Sequence, residues 1–470
     1  MVTPVPIVSG IYTDNGPDIR AAYPVNMMPV PRGSGMSEYY LRPHDGITQL
    51  GTGPGIDRGC IEWQGVCYRV MGTSLVSVAE NGTVTTLGSV GGSGYVTMDY
   101  SFDLLGIASG GNLFFWNSIT STLTQNTDPD LGPVNDILWI DGYWMTTDGT
   151  NLVVTEIGDP LSVNPLKYGS AEADPDPVVA VLRLRNEVYA VNRHTIEVFD
   201  NVGGEFFPFA RIDGAQIQKG AVGTHAVCVF DEQLAFVGSG RNEANSIYVA
   251  SNATATQIAT AEIDTLLSEY SEDELEAVKI EYRLYRAHKL LYVHLPNKTL
   301  VYDHTSSEAL QQRVWFVLTS TVDGFEQYRA QNMVYCYGKW IVGDPQDSRI
   351  GYFNNEIGHH WGSIVRWEFS APIFYNNGMG GIFHEIELVA LTGRVELGTN
   401  PQISTSYSID GQSWSQDKYI SVGTTGNALK RLVWWQQGFM KNWRIQRVRG
   451  NSSAHISVSN FNARLEPLAA

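Results

Sequence analysis

One pattern limits what this chain can become: a two-stranded hairpin that recurs seven times at near-even intervals. The unit is plainest between Val178 and Ala210, where VVAVLRLR, EVYAV, TIEVF and EFFPFA read as four short strands separated by polar turns. Alternation of period two, with β-branched and aromatic residues, marks strands that bury one face and wet the other. The same hairpin occurs around Tyr68, Ile107, Met145, Phe236, Tyr292 and Ile341. With Tyr189 included, the centres are spaced 39, 38, 44, 47, 56 and 49 residues apart. Four-stranded sheets repeating at roughly 40 to 50 residues are the blades of a β-propeller, because one blade cannot bury both of its faces alone. The chain is therefore expected to be all-β, with a seven-bladed β-propeller over residues 57–357.

The longest spacing has a cause. Between the fifth and sixth hairpins, ATAEIDTLLSEY places Ile263, Leu266 and Leu267 on one helical face. Ser271 followed three residues later by Glu274 is a capping-box pattern that opens a second short helix. A helical insertion is expected over 259–278, with the acidic run from Glu269 to Glu276 as its solvated side. Beyond His360 the hairpins give way to longer alternating strands, which predict a C-terminal β-sandwich over 358–470. Residues 1–56 carry prolines at 4, 6, 17, 24, 29, 31, 43 and 54 and little alternation. They read as a Pro/Gly-rich arm. Its large apolar and aromatic residues need burial somewhere, so Tyr23, Met27, Met28, Tyr39, Tyr40, Leu41 and Arg42 are the candidate partner-contact residues.

Composition removes several function classes. The chain has 31 basic and 49 acidic residues and a net charge of −18, which disfavours tight binding to phosphate backbones. No run approaches the ~20 apolar residues that span a bilayer, and MVTPVPIVSG lacks the features of a secretory signal, so no membrane binding is expected. Cys60, Cys67, Cys228 and Cys336 show no CxxC spacing and fall in or beside strands, where a thiol acts as a small apolar group. No phosphate loop, GxSxG or HxxxH element occurs. His359 and His360 are adjacent, and neighbours in a strand face opposite sides, so they do not make a metal site. SYSIDGQSW (406–414) is similar to the aspartate box of sialidase-type propellers, but that motif shapes a turn rather than a catalytic group. Trp315, Trp361 and Trp367 are read as core. No catalytic, cofactor or metal site is expected, and the chain is read as not an enzyme.

Several segments resemble the packaged-DNA stabilisation, or tail hub, proteins of short-tailed phages: YPVNM (23–27), YLRPHDGI (40–47), RGCIEWQGVCYRVMGTSL (58–75), DPDPVVAVLRLRNEVYAVNRHTIEVFDNVG with IQKGAVGT after it, and IATAEIDTLLSEYSEDELEAVKIEY with HLPNKTLVYD. The resemblance spans most of residues 20–350, in order. It implies a structural protein of the virion tail, made in the host bacterial cytoplasm. It further implies a homo-hexamer beneath the portal and its adaptor ring that extends the DNA channel, seats the tail needle, and carries tailspikes or fibres. DNA would pass through without specific binding, and packaged DNA would be retained mechanically. The alternative class is a carbohydrate-binding or carbohydrate-cleaving propeller of the virion, which would gather exposed aromatics and carboxylates at the central mouth.

Overall fold

A computed structural model describes residues 2–7, 22–32, 39–171, 174–372 and 374–468. Each of the seven hairpins forms the middle of one small antiparallel sheet, over 57–89, 97–125, 136–170, 178–211, 220–257, 279–318 and 331–354. We call these blades 1 to 7. One strand from each blade joins a closed circuit: Asp57–Trp63 touches Thr97–Tyr100, then Asp136–Ile140, Val178–Leu184, Val227–Phe230, Lys279–Tyr285 and Gln331–Cys336, which returns to Asp57–Trp63. Stacking the apolar faces this way builds cores between blades, as where Val70 and Leu105 meet Ile107 and Trp116. Tight turns join the strands. Gln64-Gly65, Asp141-Gly142 and Tyr337-Gly338 hold two successive positive φ values, the geometry that matches strand twist in two-residue hairpins.

Blade 7 supplies only three strands of its own. Its fourth is Gly46–Thr52 from the N-terminal region, paired with Arg349–Asn354 so that Ile47 lies opposite Phe353. The expected helical insertion is present as Ala261–Leu267 and Glu272–Glu276, with Ile263, Leu266 and Leu267 buried and both halves of the Ser271/Glu274 capping box formed. A further helix, His304–Leu310, was not expected from the sequence. Asp303 caps it by accepting from the Ser306 amide at 3.0 Å.

The sandwich packs two sheets. One runs in the order Met27–Pro31, Tyr39–Pro43, Val458–Pro467, Gly381–Ala390, Leu432–Met440, with Val2–Val5 also paired to Val458–Pro467. The other runs Arg366–Ser370, Trp443–Asn451, Gln402–Ser408, Lys418–Ser421. Its core joins Trp367, Phe369, Phe383, Trp434 and Phe461 to Ile7, Met27 and Leu41 from the N-terminal region.

The described parts of residues 1–56 therefore do not form a separate arm. The described parts divide between the domains: strands 2–5, 27–31 and 39–43 complete the sandwich, and 46–52 closes the propeller. The physical reason is visible at Met27–Pro31, which has both faces buried. Met27 points into the sandwich core, and Met28 into the propeller core with Tyr292, Phe316 and Tyr328. A strand wetted on neither side shows no alternation to read.

Candidate interaction surfaces

The seam between the domains consumes the residues expected to reach a partner. Val25 is fully buried and bridges Val317 of blade 6 and Glu368 of the sandwich. Asn26 donates from its side chain to the carbonyls of Thr319 at 3.0 Å and Arg366 at 2.7 Å. Tyr23 packs against the helical insertion and lies 2.5 Å from the Thr260 hydroxyl. Met27, Met28 and Leu41 are core residues. Tyr39 is half-buried and accepts from the Ile7 amide; Tyr40 is half-buried beneath Arg32. Arg42 donates to the Tyr285 hydroxyl at 2.9 Å and pairs with Asp45. For Tyr23, Met27, Met28 and Leu41 this is a correction, since their burial is satisfied within one chain, whereas Tyr39, Tyr40 and Arg42 stay partly exposed.

Arg42 leads to a cleft that the sequence did not disclose. It lies between the first turns of blades 6 and 7 and the end of strand Arg349–Asn354, with a volume of about 730 Å³. Its floor is an ion cluster. Arg283, 2% exposed, donates to Asp45 Oδ2 at 2.7 Å and to the Tyr292 hydroxyl at 3.2 Å, while its Nε has no hydrogen-bond partner. Burial pushes the Asp45 carboxyl up, but Arg283 and Arg42 together outweigh it and hold the group down at about 2. His44, stripped of water, is lowered to about 3 and stays neutral beside Tyr292. The walls are rings faced by cations: Lys339 over Tyr352 at 5.0 Å, Arg286 over Tyr285 at 5.3 Å and Arg283 over Phe353 at 4.1 Å. A second cavity of about 570 Å³ shares Asn355 and Glu356 with the first and runs on to Arg394 and His455 of the sandwich.

In this second cavity His359 lies between two sandwich side chains, with Nδ1 2.9 Å from Ser452 Oγ and Nε2 on Glu396. The Ser452 hydroxyl is buried and also accepts from the Val365 amide at 3.1 Å, so it ties linker to sandwich. His360 points the other way, to Ser320 and Tyr328. The two histidines thus diverge as their adjacency requires. In 406–414, Asp410 accepts from the amides of Gln412 and Ser413, which makes the segment a turn and holds that carboxyl well below its usual range. Trp315, Trp361 and Trp367 are buried.

Carboxylates on the innermost strands are also spent internally. Asp99 accepts from the Trp139 amide at 2.7 Å, Asp136 from Val181 at 2.9 Å, and Glu281 from Asn332 at 3.0 Å and Met333 at 2.9 Å. Asp57 accepts from the Asn332 side chain at 2.6 Å and pairs with Arg69, tying blade 1 to blade 7. Each acid thus bonds a strand of a neighbouring blade. Across the ring, the turns of blades 2 to 4 expose Phe102, Ile119, Ile157, Val202 and Phe206. Phe102 meets Trp139 edge-on, and Asn201 donates to Asp141 at 3.0 Å, so these tips make one continuous surface.

Fold and surfaces define a two-domain all-β protein, a propeller with a sandwich braced against blades 6 and 7. The chain belongs to the Bacteriophage P22 Gp10 family: the family's β-propeller model matches residues 3–358 and its β-sandwich model residues 366–466. It is 26% identical over 483 residues to the tail hub protein gp10 of Salmonella phage P22, covering 98% of this chain and 99% of that one. Among solved structures, it is similar to the Neurospora crassa Pan2 WD40 domain (11% identity, 66% of this chain and 95% of that chain, TM-score 0.42) and to the N-terminal domain of Nup159 (7% identity, 70% and 98%, TM-score 0.41).

Proposed function

We propose that this chain is a structural component of a phage tail: a hub that extends the DNA channel below the portal and its adaptor, seats the tail needle or plug, and carries spikes or fibres. The observation that carries this reading is the end-to-end similarity to a tail hub protein, with propeller and sandwich in the same order. The architecture supports it. Strands from the N-terminal region close both domains, which makes a stiff body suited to bearing load. The innermost carboxylates hold blades together rather than standing open at a central mouth, which disfavours the carbohydrate-processing alternative. An acidic chain lets DNA slide past without adhering. The protein works without catalysis, as a homo-hexamer on the virion tail.

The test is a particle assembled without the chain. It should fill with DNA and then lose it, and adding purified chain before loss should retain the genome. Particles that keep their DNA without it refute the hub role. Turnover of a host-surface polysaccharide by the isolated chain, abolished by one carboxylate substitution, would favour the alternative instead.

A further inference from the structure

We propose that the cleft at the tips of blades 6 and 7 receives the loop of residues 202–208 from blade 4 of a second copy, joining copies head to tail. The inference rests on the reading that one tail holds several copies, and it names the surfaces they use. The cleft asks for an unusual ligand. Lys339 and Arg286 lie against the faces of Tyr352 and Tyr285, so these walls offer positive charge on an aromatic surface, with Glu356 an acid at the far side of the lining, and Arg283 sits in the floor with Nε unpartnered. A carboxylate beside an aromatic or aliphatic side chain fits that lining, because the acid meets the cations while the apolar group covers ring surface.

The chain itself displays that combination. The sequence EFFPFA was expected to form a strand from Glu205, yet the strand begins only at Phe209. Gly203 at φ 66°, Gly204 and Pro208 release the preceding residues into a loop in which Val202 to Phe206 are all exposed, Val202 by 62% and Phe206 by 55%. Glu205 and Phe206 thus stand adjacent, acid and ring, on an exposed loop. Asp141, which accepts from Asn201 beside the loop, and Asp200 are exposed acids, opposite in sign to the cleft cations. Blade 4 is not next to blade 6 or 7 in the ring, so the loop does not serve its own cleft. Contact between two different patches on identical chains is heterologous, and it propagates from copy to copy until a ring closes.

The experiment uses the full chain on assembled tails, with Glu205→Cys and Arg286→Cys singly and together, a short bismaleimide, and the unmodified chain as control for the four native cysteines. Both positions are exposed turns outside every core. The double variant should give a ladder of cross-linked dimers, trimers and larger species, and neither single variant should. A ladder stopping at dimer overturns the head-to-tail contact. Several copies per tail without a ladder, or Arg286→Cys cross-linking to another tail protein, overturns this docking and leaves the hub reading standing. One copy per tail overturns the multi-copy reading itself. As a second arm, Glu205→Lys should lower incorporation about tenfold, the effect of losing one good charge contact. Adding Arg286→Glu and Lys339→Glu should restore it, and failure to restore it counts against the pairing.

Discussion

Replacing Asp45 by Asn tests whether the ion cluster under the cleft holds the two domains together. Asp45 is 2% exposed and serves Arg283 from the propeller and Arg42 from the N-terminal strand that joins the sandwich. Its carboxyl is held at about 2 against an ordinary value of 3.8, a difference of about two pH units. At about 1.4 kcal/mol per unit, this group contributes about 2.5 kcal/mol at neutral pH. Asn keeps the shape but leaves two buried or half-buried guanidinium groups without their counter-charge, a loss that costs about 3 to 5 kcal/mol when a buried pair is broken on one side. Urea denaturation of the full chain at pH 7 should show a loss of that order. The sign with pH is set by the depressed value: the stabilisation is complete above about pH 4 and disappears as pH falls through about 2. The wild type should therefore lose its advantage over Asp45→Asn across that window. A difference below about 1 kcal/mol at pH 7, or one unchanged at pH 2, would refute the reasoning.

A chain lacking residues 1–45 loses Met27, Leu41 and Asp45 together; it should expose the sandwich to limited proteolysis while the wild type resists, and equal resistance would contradict the strand assignments. Ser271→Ala removes one half of a formed capping box and should weaken helix Glu272–Glu276 by about 1 kcal/mol, read as faster local hydrogen exchange. Asp136, buried between blades 3 and 4 and near Asp99, is pushed up to about 7 mainly by desolvation. A raised acid stabilises the fold most below about pH 4 and loses that contribution as pH rises through 7. Asp136→Asn should therefore flatten this dependence and be more stable than the wild type at pH 8 by up to about 4 kcal/mol in thermal or urea unfolding, whereas a destabilised variant at pH 8 would count against it.

The propeller was legible because each blade is built from neighbours in sequence. Val178–Leu184, Glu187–Asn192 and Ile196–Asn201 pair across two short turns, and their alternation survives because each strand has one face against the next blade. The N-terminal region carries no such local signal because its partners are remote: Ile47 pairs with Phe353, and Leu41 with Val458. Two of its prolines sit where a strand tolerates them. Pro29 and Pro31 lie on Met27–Pro31, at the edge of its sheet. Helix His304–Leu310 shows only a capping Asp and no apolar stripe, since its buried contacts are made by Ser306 and Ser307. The cleft was hidden for a related reason. Its cations and rings come from strands and turns centred near 285, 339 and 352, and only closure of blade 6 against blade 7 brings them together.

Among the described residues, the chain passes from a sandwich strand to a propeller strand near residues 43–46 and from propeller to sandwich again over 355–365. Pulling the sandwich away from the propeller would therefore stretch two lengths of polypeptide in parallel, and the second is further fastened where Gly46 and Ile47 donate to Ile357 and His359. A single linker would let the sandwich swivel like a flag on a pole. Two crossings act as a yoke, so torque applied to the sandwich is passed to blades 6 and 7 instead of being lost in a hinge. A body built this way can transmit strain applied at the sandwich to the cleft at those blades.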